Sequence, residues 1–144
     1  MTLNFLFKDV TIFSDVNVGF YINFPKKFWK YKRINENEFC FLKKNTKSAI
    51  IMSIFDDKIY TYENIKENEY FIETKLGNYP AYVTCKLFSE FSELQYEWYF
   101  IDNNKKIVFY YSIQEKASDL EKDFQYNNVL AILNTIAEKN KKNV

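Results

Sequence analysis

The chain has 144 residues, of which 47% are apolar and 20% aromatic, with only two glycines and two prolines. Such a chain is long enough for one domain with a full core and too apolar to be disordered, and its aromatic excess points to sheet. Twenty basic against nineteen acidic residues leave a formal charge of +1, which excludes a global attraction to nucleic acid or anionic membrane and leaves only local patches.

The N-terminus, MTLNFLFKDVTIF, lacks the basic start and the uninterrupted apolar stretch of a signal peptide. Residues 3–7 (LNFLF) are expected to form a short strand. No apolar run is long enough for a membrane-spanning helix. A cytoplasmic protein is therefore expected.

In GFYINF, Phe20, Ile22 and Phe24 alternate with Tyr21 and Asn23, the period of a strand. Pro25 cannot donate a ladder hydrogen bond and should end it. Lys26, Lys27, Lys30, Lys32 and Arg33 follow, interleaved with Phe28, Trp29 and Tyr31. The ordinary reading is a solvated turn, with Trp29 folded back to plug the end of the sheet. The functional reading is a basic patch for an acidic protein partner. Interleaved rings and cations also suit single-stranded nucleic acid, but no recognised module is visible, so nucleic acid is not expected.

EFCFLK and SAIIMSIF read as the next two strands, joined by a polar turn at KNTK. Residues 56–73 then hold six acidic and two basic side chains, a local charge of −4. A short helix or an irregular excursion is expected there. Asp56, Asp57 and Glu63 could dock a basic partner, with Tyr60 and Tyr62 as anchors, since tyrosine gives large contact area at small entropic cost. A strand, a turn around Gly77–Pro80 and a longer strand follow. In the latter Ala81, Val83, Cys85 and Leu87 share a face.

The clearest hairpin lies at 94–113. Leu94, Tyr96, Trp98 and Phe100 alternate with Gln95, Glu97 and Tyr99, Ile107, Phe109, Tyr111 and Ile113 alternate with Val108, Tyr110 and Ser112, and Asp102-Asn103-Asn104-Lys105 forms the turn. The last segment reads as a helix. Ser118 and Glu121 fit a capping box, and Tyr126, Val129, Leu130, Leu133, Ile136 and Ala137 recur at helical spacing. Phe124 sits near the edge of that stripe. Residues 139–144 read as a frayed tail.

Cys40 and Cys85 lie in apolar alternating runs and are expected as buried free thiols. Two cysteines without histidine do not build a structural zinc site, and no acidic spacing matches a calcium loop. The absence of histidine removes the commonest general base. There is no GxSxG elbow, and two glycines make no phosphate cradle. No enzyme, metal or cofactor is expected.

The order of elements implies a single α+β domain over 1–144, its core at about 18–138. An antiparallel sheet of about six strands would be packed by a long C-terminal helix and a shorter second helical element, a layered α/β/α arrangement. This order resembles the PsbP-like fold family, which includes the photosystem II extrinsic protein and a Ran-binding nuclear-import factor. The resemblance rests on FYINFPKKFW, LGNYPAYVTCKL and NVLAILNTI. It implies that fold and, since family members mostly bind other proteins, a protein-binding role. A non-enzymatic cytosolic binding domain is expected, in concrete form a bacterial immunity protein or secretion-associated adaptor. The alternative is a small-molecule or lipid carrier with an aromatic pocket between sheet and helix. An open sheet edge would also allow homodimer pairing.

Overall fold

The computed structural model describes residues 9–66 and 71–139, so the strand expected at residues 3–7 lies outside the described residues. Ten strands are present among them: β1 Val10–Phe13, β2 Phe20–Pro25, β3 Trp29–Asn35, β4 Glu38–Lys43, β5 Ala49–Phe55, β6 Ile72–Leu76, β7 Tyr79–Phe88, β8 Glu93–Asp102, β9 Lys105–Gln114 and β10 Ala137–Glu138. A one-turn helix α1 spans Tyr62–Lys66, and a 15-residue helix α2 spans Asp119–Leu133.

Seven strands form an antiparallel sheet in the order β3-β4-β5-β9-β8-β7-β6, and three form a small sheet in the order β1-β2-β10. This overturns the layered α/β/α, PsbP-like architecture expected from the sequence. The protein is mostly β. The second helical element is a single turn of five residues, too short to form a layer, and the small sheet takes its place in the second layer beside α2.

Alternation explains the large sheet. Phe39, Met52, Phe109 and Trp98 stand opposite one another across four strands, as do Phe41, Ile50, Tyr111 and Tyr96 in the next row. These rows make the inner face. From the small sheet, Phe13 packs edge-on against Phe39 and Phe41, at centroid distances of 4.9 and 5.0 Å, and Phe24 stacks on Phe41 at 4.5 Å. Beside it, α2 lowers Val129, Ile132 and Leu133 into the same core.

Local chemistry sets the connections. Asn103 and Asn104 hold φ of 50° and 66° in the two-residue β8–β9 turn, a conformation that asparagine tolerates better than most residues. Ser118 caps α2 by accepting the Glu121 N–H at 3.1 Å, while the Glu121 carboxylate accepts from Gln125 at 3.0 Å instead of reaching back. Cys40 is buried. Cys85, expected buried, is exposed, because β7 from Cys85 to Phe88 runs out past its cover.

The acidic excursion is a strap on the outer face of the large sheet. The Tyr62 hydroxyl donates to the Pro80 carbonyl at 2.8 Å and accepts from the Ile101 N–H at 3.3 Å. Ile65 is buried, and Phe71 lies 4.8 Å from the Tyr99 ring.

Trp98 is fully buried, and its indole N–H has no hydrogen-bond partner among the described residues. An unpaired buried donor costs about 1–3 kcal/mol, so removing it offsets much of the lost packing. Trp98→Phe should therefore cost less than about 1.5 kcal/mol in urea denaturation, against roughly 3–5 for Trp98→Ala. Equal losses in the two variants would contradict the orphaned donor.

Candidate functional site

The five basic residues of the 26–33 run do not form one patch. In β3 the side chains alternate, so Trp29, Tyr31 and Arg33 point one way and Lys30 and Lys32 the other. Arg33 is tied down: its guanidinium donates to Asp15 at 2.9 Å and lies over the Phe39 ring at 4.8 Å. Lys32 stands opposite Cys40 on the outer face. Burial raises the Cys40 thiol pKa, and Lys32 opposes that in part.

Lys26 and Lys27 occupy the β2–β3 turn, and strand pairing brings new partners to them. Trp29 pairs with Lys43 and Lys30 with Leu42, so the end of β4 lies beside the start of β3. The Lys44 N–H donates to the Phe28 carbonyl at 2.7 Å, and its ammonium donates to the Lys26 carbonyl at 3.1 Å. The two turns thus form one corner that carries Lys26, Lys27, Lys30, Lys43 and Lys44. Along the sequence Lys43 only closes the EFCFLK strand and Lys44 only opens the KNTK turn, so neither stands out as a site residue. The signal was there in antiparallel pairing, which sets the end of one strand against the start of the next.

Beside this corner lies an apolar groove of about 350 Å³. Pro25, Phe28 and Trp29 make one wall, Phe124, Ala131 and Ile132 of α2 the other, and Lys43 stands between them. Trp29 is buried at the groove's base, whereas Phe28 and Phe124 are 51% and 56% exposed. The Lys27 ammonium lies 5.7 Å from the Phe28 ring and that of Lys43 5.8 Å from the Phe124 ring. Deeper between α2 and the sheet, the space is packed by Phe109, Ile113 and Leu133, all buried, so the apolar opening is at the rim of that interface.

The acidic residues gather at the other end of the large sheet. β5 starts at the lysine corner and ends at Phe55, and its length separates Asp56 and Asp57 from the lysines by about 20 Å. Both carboxylates are exposed and line a shallow cleft of mixed character with Asn37, Glu38, Ser53, Phe55 and Lys106. Glu63 is exposed on α1. Tyr60 is buried, its hydroxyl donating to Asp57 at 2.6 Å, and the Lys106 ammonium sits over its ring at 5.1 Å. The hydroxyl of Tyr60 is therefore spent inside the strap, and that of Tyr62 in tying the strap to β7 and β8.

The Tyr60 hydrogen bond holds the Asp57 carboxyl below its ordinary pKa and pushes the tyrosine up. A depressed carboxylate contributes stability above its unfolded pKa and loses it as pH falls through the folded value. Tyr60→Phe should raise the Asp57 pKa in an NMR titration and remove that acid-side dependence. An unchanged titration would mean that the bond does not form in solution.

On the outer face Glu97 is buried, yet well satisfied. It accepts from the Tyr99 hydroxyl, from the Gln95 amide at 2.7 Å, and pairs with Lys86 at 3.3 Å. This network is closed on itself and offers no open group.

No family model and no curated protein matches the sequence. Among solved structures, a crystal structure of a protein from Bacteroides thetaiotaomicron VPI-5482 at 1.50 Å resolution is similar, with a TM-score of 0.65 and 14% identity. The match covers 86% of this chain and 46% of the other, so this chain spans less than half of that protein's length. At this identity the likeness concerns the fold alone. Among the described residues, no helix is long and apolar enough to cross a membrane.

Proposed function

We propose that this chain is a protein-binding module that docks an acidic partner through its lysine corner. The observation that carries the reading is the gathering of Lys26, Lys27, Lys43 and Lys44 beside two half-exposed rings, with Lys30 on the outer side of the same corner. Among the described residues none of the five is in an ion pair; the two pairs present engage Arg33 and Lys86. Unpaired like charges on a surface repel one another and favour an anionic partner that neutralises them. Such a module blocks or escorts its partner by occupying a surface. Both cysteines are free, which suits a reducing compartment, so the proposal places the chain in the cytoplasm.

The test is a triple charge reversal, Lys26→Glu with Lys27→Glu and Lys30→Glu. A partner captured by the native chain from lysate should be lost by the variant. Its association rate should fall by about 10–100-fold at low salt, with a flatter salt dependence and a smaller change in dissociation. Equal capture and an equal salt slope would remove the lysine corner as the dock.

A further inference from the structure

The groove beside the lysine corner has a more specific chemistry than the charges alone. Helix α2 is apolar on two sides. Val129, Ile132 and Leu133 serve the core, while Leu120 and Phe124, four residues apart, form a second edge directed outward. Leu120 is 81% exposed, and the core does not need it. Phe28 faces the same opening from the β2–β3 turn. Exposed rings that line one recess mark an interaction site more often than scattered apolar residues do.

The recess is small. At about 350 Å³ it lies at the low end of ligand pockets, a size that takes side chains more readily than a whole cofactor. Its walls are apolar, but cations stand on the rings at its mouth, Lys27 by Phe28 and Lys43 by Phe124. Lys26 and Lys44 extend the positive rim, while Lys30 stands on the opposite face of β3 beside Leu42. Asp9 is the acidic neighbour, lying beside Lys26 and Lys27. On α2, Glu121 shares the helix face of Asn128, and its carboxylate is engaged with Gln125, which in turn meets Tyr111, while Asp123 lies toward Tyr96 of β8. An occupant must therefore be apolar at its centre and negative around it. Between the exposed Phe28 and Phe124 rings the opening is a narrow slot with a wall on either side, which suits individual side chains better than a flat bilayer surface.

We infer that the groove between the β2–β3 turn and α2 receives one or two bulky apolar side chains of an acidic peptide segment, whose carboxylates lie on the surrounding lysines. This rests on the binding-module reading and names the feature of the partner that is recognised. Apolar anchors in a desolvated recess supply most of the affinity, and the lysines supply rate and register.

The experiment is selection of short random peptides displayed on phage against the full chain, followed by fluorescence anisotropy of the enriched sequences. Enriched peptides should combine Asp or Glu with a bulky apolar pair. Replacing that pair with alanine should weaken binding by about tenfold or more. The double variant Phe28→Ala with Phe124→Ala changes only half-exposed rings, so it keeps the fold, and it should show the same loss. Enriched acidic peptides indifferent to both changes would overturn the groove while leaving the lysine corner intact. Peptides indifferent to the triple lysine reversal, or no enrichment at all, would overturn both. Binding to phosphatidylglycerol vesicles that depends on Phe28 and Phe124, with no peptide enriched, would assign the site to a lipid surface and overturn the inference.

Discussion

Gly77→Ala should destabilise the domain by about 3 kcal/mol, and lower its melting temperature by roughly 10 °C. Two independent costs meet at this residue. Gly77 opens the two-residue β6–β7 turn with a φ of 60°, where a Cβ is strained against its own backbone. A Cβ built there would also overlap the Ile136 carbonyl oxygen. That oxygen belongs to the backbone and has no rotamer by which to escape. Ile136 is buried between α2 and β10, so the displaced atom carries the end of the helix and the third strand of the small sheet with it. Urea denaturation at constant m would measure the loss. A change below about 1 kcal/mol would mean that the turn does not abut Ile136.

The features that were legible in the sequence are those encoded locally. The β8–β9 hairpin is written in eight alternating core positions and an Asn-Asn turn, and Ser118 announces the start of α2. What was not legible depends on which strands meet. β3, WKYKRIN, reads as a lysine-rich turn because it is an edge strand of the large sheet. Edge strands carry Lys and Arg to discourage further pairing, and that disguises their strand character. β10 is two residues long and exists only because it pairs with β2. The helical element expected in the middle came from an aperiodic acidic stretch, whose real task is to cross the outer face of the sheet. The layered α/β/α expectation drew on single strands, turns and a helix, and such local pieces do not determine sheet order. For the site, Lys26, Lys27 and Lys30 are contiguous enough to be noticed. Lys43, Lys44 and Phe124 join them only through strand pairing and helix packing.

Asp102→Ala should cost about 2–3 kcal/mol, and the substitution at Gly19 should be coupled to it. Asp102 ends β8 and is buried at 4% exposure. One carboxylate oxygen accepts the Gly19 N–H at 2.8 Å, and the other accepts the Tyr79 hydroxyl at 3.2 Å. Gly19 leads into β2 of the small sheet and Tyr79 starts β7 of the large one. The carboxylate is therefore a polar tie between the two layers, at the edge of a core built from aromatic and aliphatic side chains. Burial, followed by the charge of Asp102, pushes the Tyr79 hydroxyl well above the usual tyrosine range, so it remains a donor at every physiological pH. Alanine would strand two donors at once. Asparagine offers an oxygen to Gly19 and an amide to the tyrosine oxygen, so Asp102→Asn should cost clearly less than Asp102→Ala. The coupling follows from space. A Cβ at Gly19 would come within 2.9 Å of Asp102 Oδ1 and 3.0 Å of Asn103 Nδ2. These are side-chain ends that can move, but moving the carboxylate breaks its bond to Gly19. Gly19→Ala should thus be destabilising in the native background and much less so when Asp102 is already alanine. Strict additivity in the double-mutant cycle would show that the two residues do not act as one tie. Both residues lie at the end of β8 away from the lysine corner, so these variants should lose stability while the folded fraction keeps its binding to an acidic partner.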